Sequence, residues 1–402
     1  AAAALCESLL WAEAEDEIID TLQGYGYWNE PGAWRQLGDN ENNFSIVGNQ
    51  QSSPAAALVE KFVNAVDAVL MLCCYRKGVD PEGPDAPPSI AAALERYFGI
   101  KDGNLANLTA QERTELGAHI GFVATGRKRA PNYTVFDWGE GQTPDAMPDT
   151  LLSLARSNKL RIPFVQGKFN MGGTGVLQFC GRRNFQLVIA RRCPDIADSR
   201  DPSAAYWGFT IIRREDPGAG RRSSMFTYLA PGGVVPRFRA EAIPLPDDGG
   251  GTQPLPALGW GAIIKMFDYE MTGLKTAITL DLYNQVSLLL PRVGLPIRFY
   301  ERRGYGAHTL ESTMAGLHVR LEEDKRDNLE EDFPTYFDFK VLGEAMRASI
   351  YAFRKGRAEK YRKSEGLIFT INGQTHGVIG HGFFTRRAVG MSYLADSLLV
   401  IV

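Results

Sequence analysis

Glu60-Lys61-Phe62-Val63-Asn64-Ala65-Val66-Asp67-Ala68 is the stretch that decides how the rest of the chain is read. It lies in a segment free of helix breakers. Ser52 or Ser53 can cap it, Pro54 suits a first turn, and Ala55–Tyr75 runs on until Gly78. Helical spacing places Glu60, Asn64 and Asp67 at i, i+4 and i+7, within about 60° of one another around the axis. Leu58, Phe62, Val66, Val69 and Cys73 give the same helix apolar surface elsewhere. A helix this apolar is expected to be largely buried, so its polar stripe must face a cavity or a partner. A glutamate there can polarise a water, and an asparagine oxygen suits a hard cation such as Mg²⁺. The spacing also suits a solvated stripe on a surface helix, and the helix alone does not choose between the two.

Two further segments carry chemistry. Tyr133–Phe136 reads as a strand that runs into Asp137-Trp138-Gly139-Glu140-Gly141. An acid ending a buried strand needs hydrogen-bond donors, and an exocyclic amine such as that of adenine is one. Gly139 and Gly141 would let the backbone approach a flat base, although an ordinary Asp-x-Gly hairpin turn fits the same residues. Further on, Gly167-Lys168-Phe169-Asn170-Met171-Gly172-Gly173-Thr174-Gly175 leads into a short apolar stretch, Val176–Cys180. Glycines opening a helix expose backbone N–H groups, and the helix dipole favours an anion there. No Walker loop occurs in the chain. A flexible glycine-rich loop is the plainer reading of this segment.

In this order the three segments resemble the GHKL ATPases, the superfamily of gyrase, the ninety-kilodalton heat-shock chaperone, sensor histidine kinases, MutL and the MORC proteins. The Glu-x-x-x-Asn-Ala-x-Asp-Ala motif stands at 60–68, Asp-x-Gly-x-Gly at 137–141, and Gly172–Gly175 matches the third motif more loosely. The resemblance spans roughly 45–270. It implies an α+β protein: an N-terminal helical segment (1–45), a GHKL-type α/β sandwich with a mixed sheet and helices on one face (46–270), and a smaller α+β transducer-like domain (271–402). It also implies Glu60 as the general base, Asn64 as the Mg²⁺ ligand and Asp137 as the adenine reader. Asp67, Gly139, Gly141, Gly172, Gly173, Thr174 and Gly175 would complete the ATP site. A lid within 142–171 would bring Ser157, Asn158 and Lys159 to phosphate oxygens. Two departures stand out: Asn170 replaces the first glycine of the phosphate loop, and Gly261-Ala262 replaces the family's Gly-Thr beside the base.

The expected activity is Mg-dependent ATP hydrolysis coupled to homodimerisation and a clamp-like change, acting on DNA or a partner protein in repair, genome maintenance or defence against foreign DNA. A nucleotide-gated, non-catalytic scaffold or chaperone-like protein is the alternative. A histidine kinase fits poorly, because His119, His308, His318, His376 and His381 are each followed by a non-acidic residue. The basic run from Arg354 to Lys363, with Tyr361 among it, reads either as a solvated face or as a contact for phosphate or nucleic acid.

Composition bounds these readings. The 402 residues exceed one ordinary core, and 44% hydrophobic with 23% charged residues matches a globular protein. A net charge of −3 argues against wholesale affinity for nucleic acid or membranes. Five cysteines without C-x-x-C spacing predict reduced, mostly buried thiols, no zinc site and a cytoplasmic location. No apolar run reaches the roughly 18 residues of a membrane span. The opening Ala1-Ala2-Ala3-Ala4 and the close within Leu398–Val402 suggest a piece of a longer protein.

Overall fold

The computed structural model describes residues 1–154, 159–167, 173–217, 223–247, 251, 253–271, 273, 276–305 and 310–402. Its centre is the predicted helix, here α4 (Pro54–Arg76), preceded in the chain by α1 (Ala2–Trp11), α2 (Glu15–Gly24) and α3 (Asn43–Gly48). The Ser53 side chain accepts from the Ala56 N–H, with Pro54 in the first turn, so α4 starts where the sequence places it. Helices α5 (Ile90–Phe98) and α6 (Ala110–Gly117) follow, α6 opened by a Thr109/Glu112 capping box. The expected N-terminal helical segment opens with the pair α1 and α2. The Ala12 carbonyl between them accepts from Lys265 of the sheet.

The main sheet is built from β1 (Trp34–Gln36), β2 (Ile120–Arg127), β3 (Ala130–Asp137), β4 (Gln186–Arg191), β5 (Trp207–Glu215), β6 (Met225–Leu229) and β7 (Arg237–Phe238). After a small β8/β9 ladder (Ile243–Pro244 with Ala257–Leu258), the chain returns to the sheet as β10 (Gly261–Met266), β11 (Ile297–Glu301) and β12 (Glu311–Met314). The strand order is β1-β6-β5-β4-β10-β3-β2-β11-β12, with β7 beside β5. Every pairing in it is antiparallel except β11 with β2. The sheet is therefore mixed, within an α+β protein.

Alternation along the strands sends side chains to two covered faces. Phe122, Tyr133, Val135 and Met266 pack with Phe62, Val63 and Val66 of α4. Their neighbours Val123, Phe136 and Ile263 pack with Leu5, Leu9 and Leu10 of α1 and Ile18 and Leu22 of α2. The N-terminal pair thus covers the face opposite α4. The buried ammonium of Lys265, from the same strand as Ile263, donates to the Leu10 and Ala12 carbonyls and pairs with Glu13, fastening α1 there.

The sheet also reaches beyond the expected segment limits. β1, from the first 45 residues, pairs with β6, and β11 and β12, beyond residue 270, complete the far edge. Between these last strands and β10 lies α7 (Tyr283–Leu289). A second, five-stranded sheet follows, from β13 (Thr335–Val341), β14 (Glu344–Ala352), β15 (Glu365–Ile371), β16 (Gln374–Gly380) and β17 (Leu398–Ile401), in the order β13-β14-β17-β15-β16. The apolar run at 398–401 is its central strand, parallel to β15 and antiparallel to β14. All five cysteines are free thiols, four of them buried. Among the described residues no helix is long and apolar enough to cross a membrane.

Candidate functional site

Between α4 and the central strands lies a cavity of about 640 Å³. One face of α4 lines it through Lys61, Asn64, Ala65, Ala68, Met71 and Tyr75, all at helical spacing. Its floor is Val135 and Asp137 of β3, Ala262 and Ile264 of β10, and Gln186 and Val188 of β4. Gly173 and Thr174 enter from the glycine-rich segment and Lys159 from the segment before it.

At one end Asp137 closes β3. Its side chain is 6% exposed and accepts the Gly139 N–H at 2.9 Å. Burial raises its carboxyl to about 7, against the backbone donation that favours the anion. The turn after it is fitted tightly. A Cβ on Gly139 would lie 2.5 Å from the Ala68 side chain, and the Glu140 N–H donates to the Ala68 carbonyl. Gly141 has φ +60°, and a Cβ there would lie 1.8 Å from the Arg191 carbonyl oxygen. Glu140 pairs with Arg192 at 2.7 Å, and Arg192 also lies over the Tyr75 ring. Ala262 pairs with Asp137 in register, so a methyl stands beside this acid.

At the other end charge gathers around Asp67, which is fully buried. Its carboxylate accepts the backbone N–H groups of Gln166 at 2.7 Å and Gly167 at 3.1 Å, and the Lys159 ammonium at 3.0 Å. The same ammonium donates to Asn64 Oδ1 at 3.1 Å. Gly173 lies against this group, its Cβ position 3.7 Å from Asn64 Nδ2, and the Thr174 hydroxyl donates to Gln50. Glu60 is half-buried and is not among the residues lining the cavity. Burial raises its carboxyl, Lys159 opposes that rise and Asp67 adds to it, so Glu60 stands within electrostatic reach of the cluster.

The structure therefore brings Asn64, Asp137, Gly141, Lys159, Gly173 and Thr174 to one cavity, with Asp67 and Gly139 directly behind its wall. Gly175 begins a short helical turn, Gly175–Phe179, and packs against Gln50 and Gln51. Ser157, Asn158, Asn170 and Gly172 lie outside the described residues. None of the basic residues between Arg354 and Lys363 lines the cavity. Arg362 is buried and donates to the Glu365 and Ala395 carbonyls, and Arg354 donates to the Leu329 carbonyl, so part of that run is structural.

Three participants escaped the reading of the sequence. Lys61 carries no mark beyond its place one turn before Asn64 on the cavity face. Arg192 carries no local signal. Gln166 links the Asp67 cluster to the second sheet, donating to the Arg292 and Asn372 carbonyls at 2.8 Å each and accepting from the Gly294 N–H. Asn372 opens the turn after β15. Comparison of the chain with protein-family models and with curated proteins finds no match.

Proposed function

We propose that the chain is a GHKL-type ATPase that binds one Mg-nucleotide in this cavity and uses it to drive dimerisation of a clamp. The observation that carries the reading is the joint opening of Asp137 and Asn64 into one cavity, flanked by Lys159 and Gly173. A buried acid that wants a donor suits the exocyclic amine of adenine, and the apolar floor of Val135, Val188 and Ile264 suits the flat base. An asparagine oxygen that already accepts from an ammonium suits a cation. Among the described residues no group of three or more His, Cys, Asp and Glu is placed to hold a metal. An Mg²⁺ ion would thus take Asn64 from the protein and the remaining oxygens from phosphates and water, as this ion commonly does. It would neutralise phosphate charge.

In this reading the protein's part is positioning and electrostatics. Asp137 and the glycines after it orient the base. Lys159 releases Asn64 and Asp67 to reach phosphate oxygens, within a lid over 142–171. Glu60, its carboxyl raised by burial, takes a proton from the attacking water. Through Gln166 the cluster reaches the transducer-like second unit, where closure would be relayed to a partner copy. DNA or a partner protein is the proposed client, in repair, genome maintenance or defence against foreign DNA.

One observation favours the second reading, a nucleotide-gated scaffold without turnover: Glu60 stands outside the cavity lining. Steady-state release of phosphate from Mg-ATP, with and without double-stranded DNA, separates the two. The ATPase reading expects turnover that Glu60→Ala abolishes while nucleotide binding persists. Binding without turnover by the wild-type chain, with or without DNA, establishes the scaffold.

A further inference from the structure

Three cations line the cavity among the described residues: Lys61, Lys159 and Arg192. Lys159 is engaged by Asn64 and Asp67, and Arg192 by Glu140. Lys61 is different. It is 6% exposed, it lines the cavity, and its ammonium makes no hydrogen bond or salt bridge to a described residue. Burying an ammonium without an acceptor is costly, so such a group is expected to face a ligand that supplies one.

Its position says which part of a ligand that is. Lys61 sits one turn before Asn64 on the same face of α4, and Asn64 lies against Gly173. The turn Gly175–Phe179 packs against α4. Along the helix, Lys61 precedes Ala68, which packs under the base-reading turn, by seven residues, or about 10 Å of rise. The charge is therefore at the end of the cavity away from Asp137. Gln186 lies on the same side of the floor. It pairs in register with Met266, four residues along β10 from the Ala262 that faces Asp137. Its Oε1 is buried with no hydrogen-bond partner among the described residues. Lys61 and Gln186, both more than nine-tenths buried, thus both line this end of the cavity.

The geometry points to Lys61 as an oxyanion-binding residue, built into the cavity wall, that contacts the phosphate chain of the bound ligand. The inference rests on the nucleotide reading above for the identity of the ligand, but the oxyanion contact stands apart from the base. Burial lowers the ammonium to about 8, with Cys180 and then Glu60 opposing that fall, so it remains mostly protonated at neutral pH. Unlike Lys159, it needs no lid movement to reach an anion.

The test is calorimetric binding of ATP, adenosine and inorganic tripolyphosphate, each with Mg²⁺, to the full chain and to Lys61→Met. Loss of a hydrogen bond to a charged group predicts an affinity for ATP and tripolyphosphate lower by about 10- to 100-fold, with adenosine within about twofold. Equal losses for adenosine and ATP make Lys61 a structural support and overturn the inference, as does unchanged ATP affinity. A wild-type chain that binds tripolyphosphate through Lys61 but not adenosine keeps the oxyanion contact and removes the adenine reading. Should Lys61→Met fail to fold, lysine side-chain NMR of the wild type decides, assigned with Lys61→Arg. Tripolyphosphate must shift the Lys61 resonance and adenosine must leave it in place; a resonance indifferent to tripolyphosphate contradicts the contact.

Discussion

The two ends of the cavity solve the problem of buried charge in opposite ways. At the Asp137 end the acid is held by its own chain: Gly139 donates to it, Ala68 and Arg191 fill the space behind the turn, and little can move. At the Asp67 end the charge is held by a cross-link. One lysine from the segment before the glycine-rich loop bridges a fully buried carboxylate and the neighbouring carboxamide. The first arrangement is preformed, as recognition of a rigid base requires. The second can be exchanged, because an incoming anion can take over Lys159 and an incoming cation can take over its acceptors. A site that must both read a base and respond to phosphates would be built with this asymmetry.

The comparison can be broken most severely at the rigid end. Gly141→Ala should lower stability by about 3 kcal/mol or more, since the residue is left-handed and its new methyl would overlap the Arg191 carbonyl. Denaturant unfolding measures it, and a loss under about 1 kcal/mol would show that the turn can relax. Asp137→Asn should weaken adenosine and ATP alike by about 100-fold, as expected on losing a buried charged acceptor.

The same variant tests the electrostatics of that end. Asp137 has a folded carboxyl raised from 3.8 to about 7, so between these values the native state holds more protons than the unfolded chain. Its contribution to stability is then greatest below about pH 4 and is lost as pH rises towards 7, with a slope on the order of 1 kcal/mol per pH unit. The difference in unfolding free energy between wild type and Asp137→Asn should follow that slope and flatten above pH 7. A difference that is flat from pH 4 to 7 would place the carboxyl in its ordinary range.

The exchangeable end should respond more mildly. Lys159→Met removes one of three donors to Asp67, and the two backbone donors remain. Because Lys159 is partly exposed, a loss of roughly 1–2 kcal/mol is expected, together with weaker binding of Mg²⁺-free phosphate ligands. The smallest effect belongs to the outer sheet, where Phe337 is 60% exposed on β13. Phe337→Ser should change stability by less than about 0.5 kcal/mol and leave nucleotide binding unaltered.

The rigid end and the central helix were legible in the sequence for a common reason: their signals are local. Ser53 and Pro54 mark the start of α4, and β-branched and aromatic residues lead β3 into an acid and two glycines. What the sequence hid depends on distant partners. β2 carries two glycines and an alanine, poor strand formers alone, and it becomes a strand by pairing along β3, where Gly121 admits the Phe136 ring. β1 exists only because it pairs with β6 across almost two hundred residues. The Lys159 bridge and the Gln166 link likewise join residues about a hundred or more positions apart. Glu60 shows the limit of helical arithmetic. Its 40° offset from Asn64 looked negligible, yet the cavity face of α4 is centred on Lys61, Ala65 and Ala68, and Glu60 falls on its flank.

The central claim is that one Mg-nucleotide occupies this cavity, with its base on Asp137 and its phosphates near Asn64 and Lys159. Isothermal calorimetry of Mg-ATP against the wild-type chain and Asp137→Asn tests it most directly. The account predicts one site per chain in the wild type and an affinity lower by about 100-fold in the variant. Binding that survives in Asp137→Asn with undiminished affinity, or a wild-type chain that takes up no Mg-ATP at all, would contradict it.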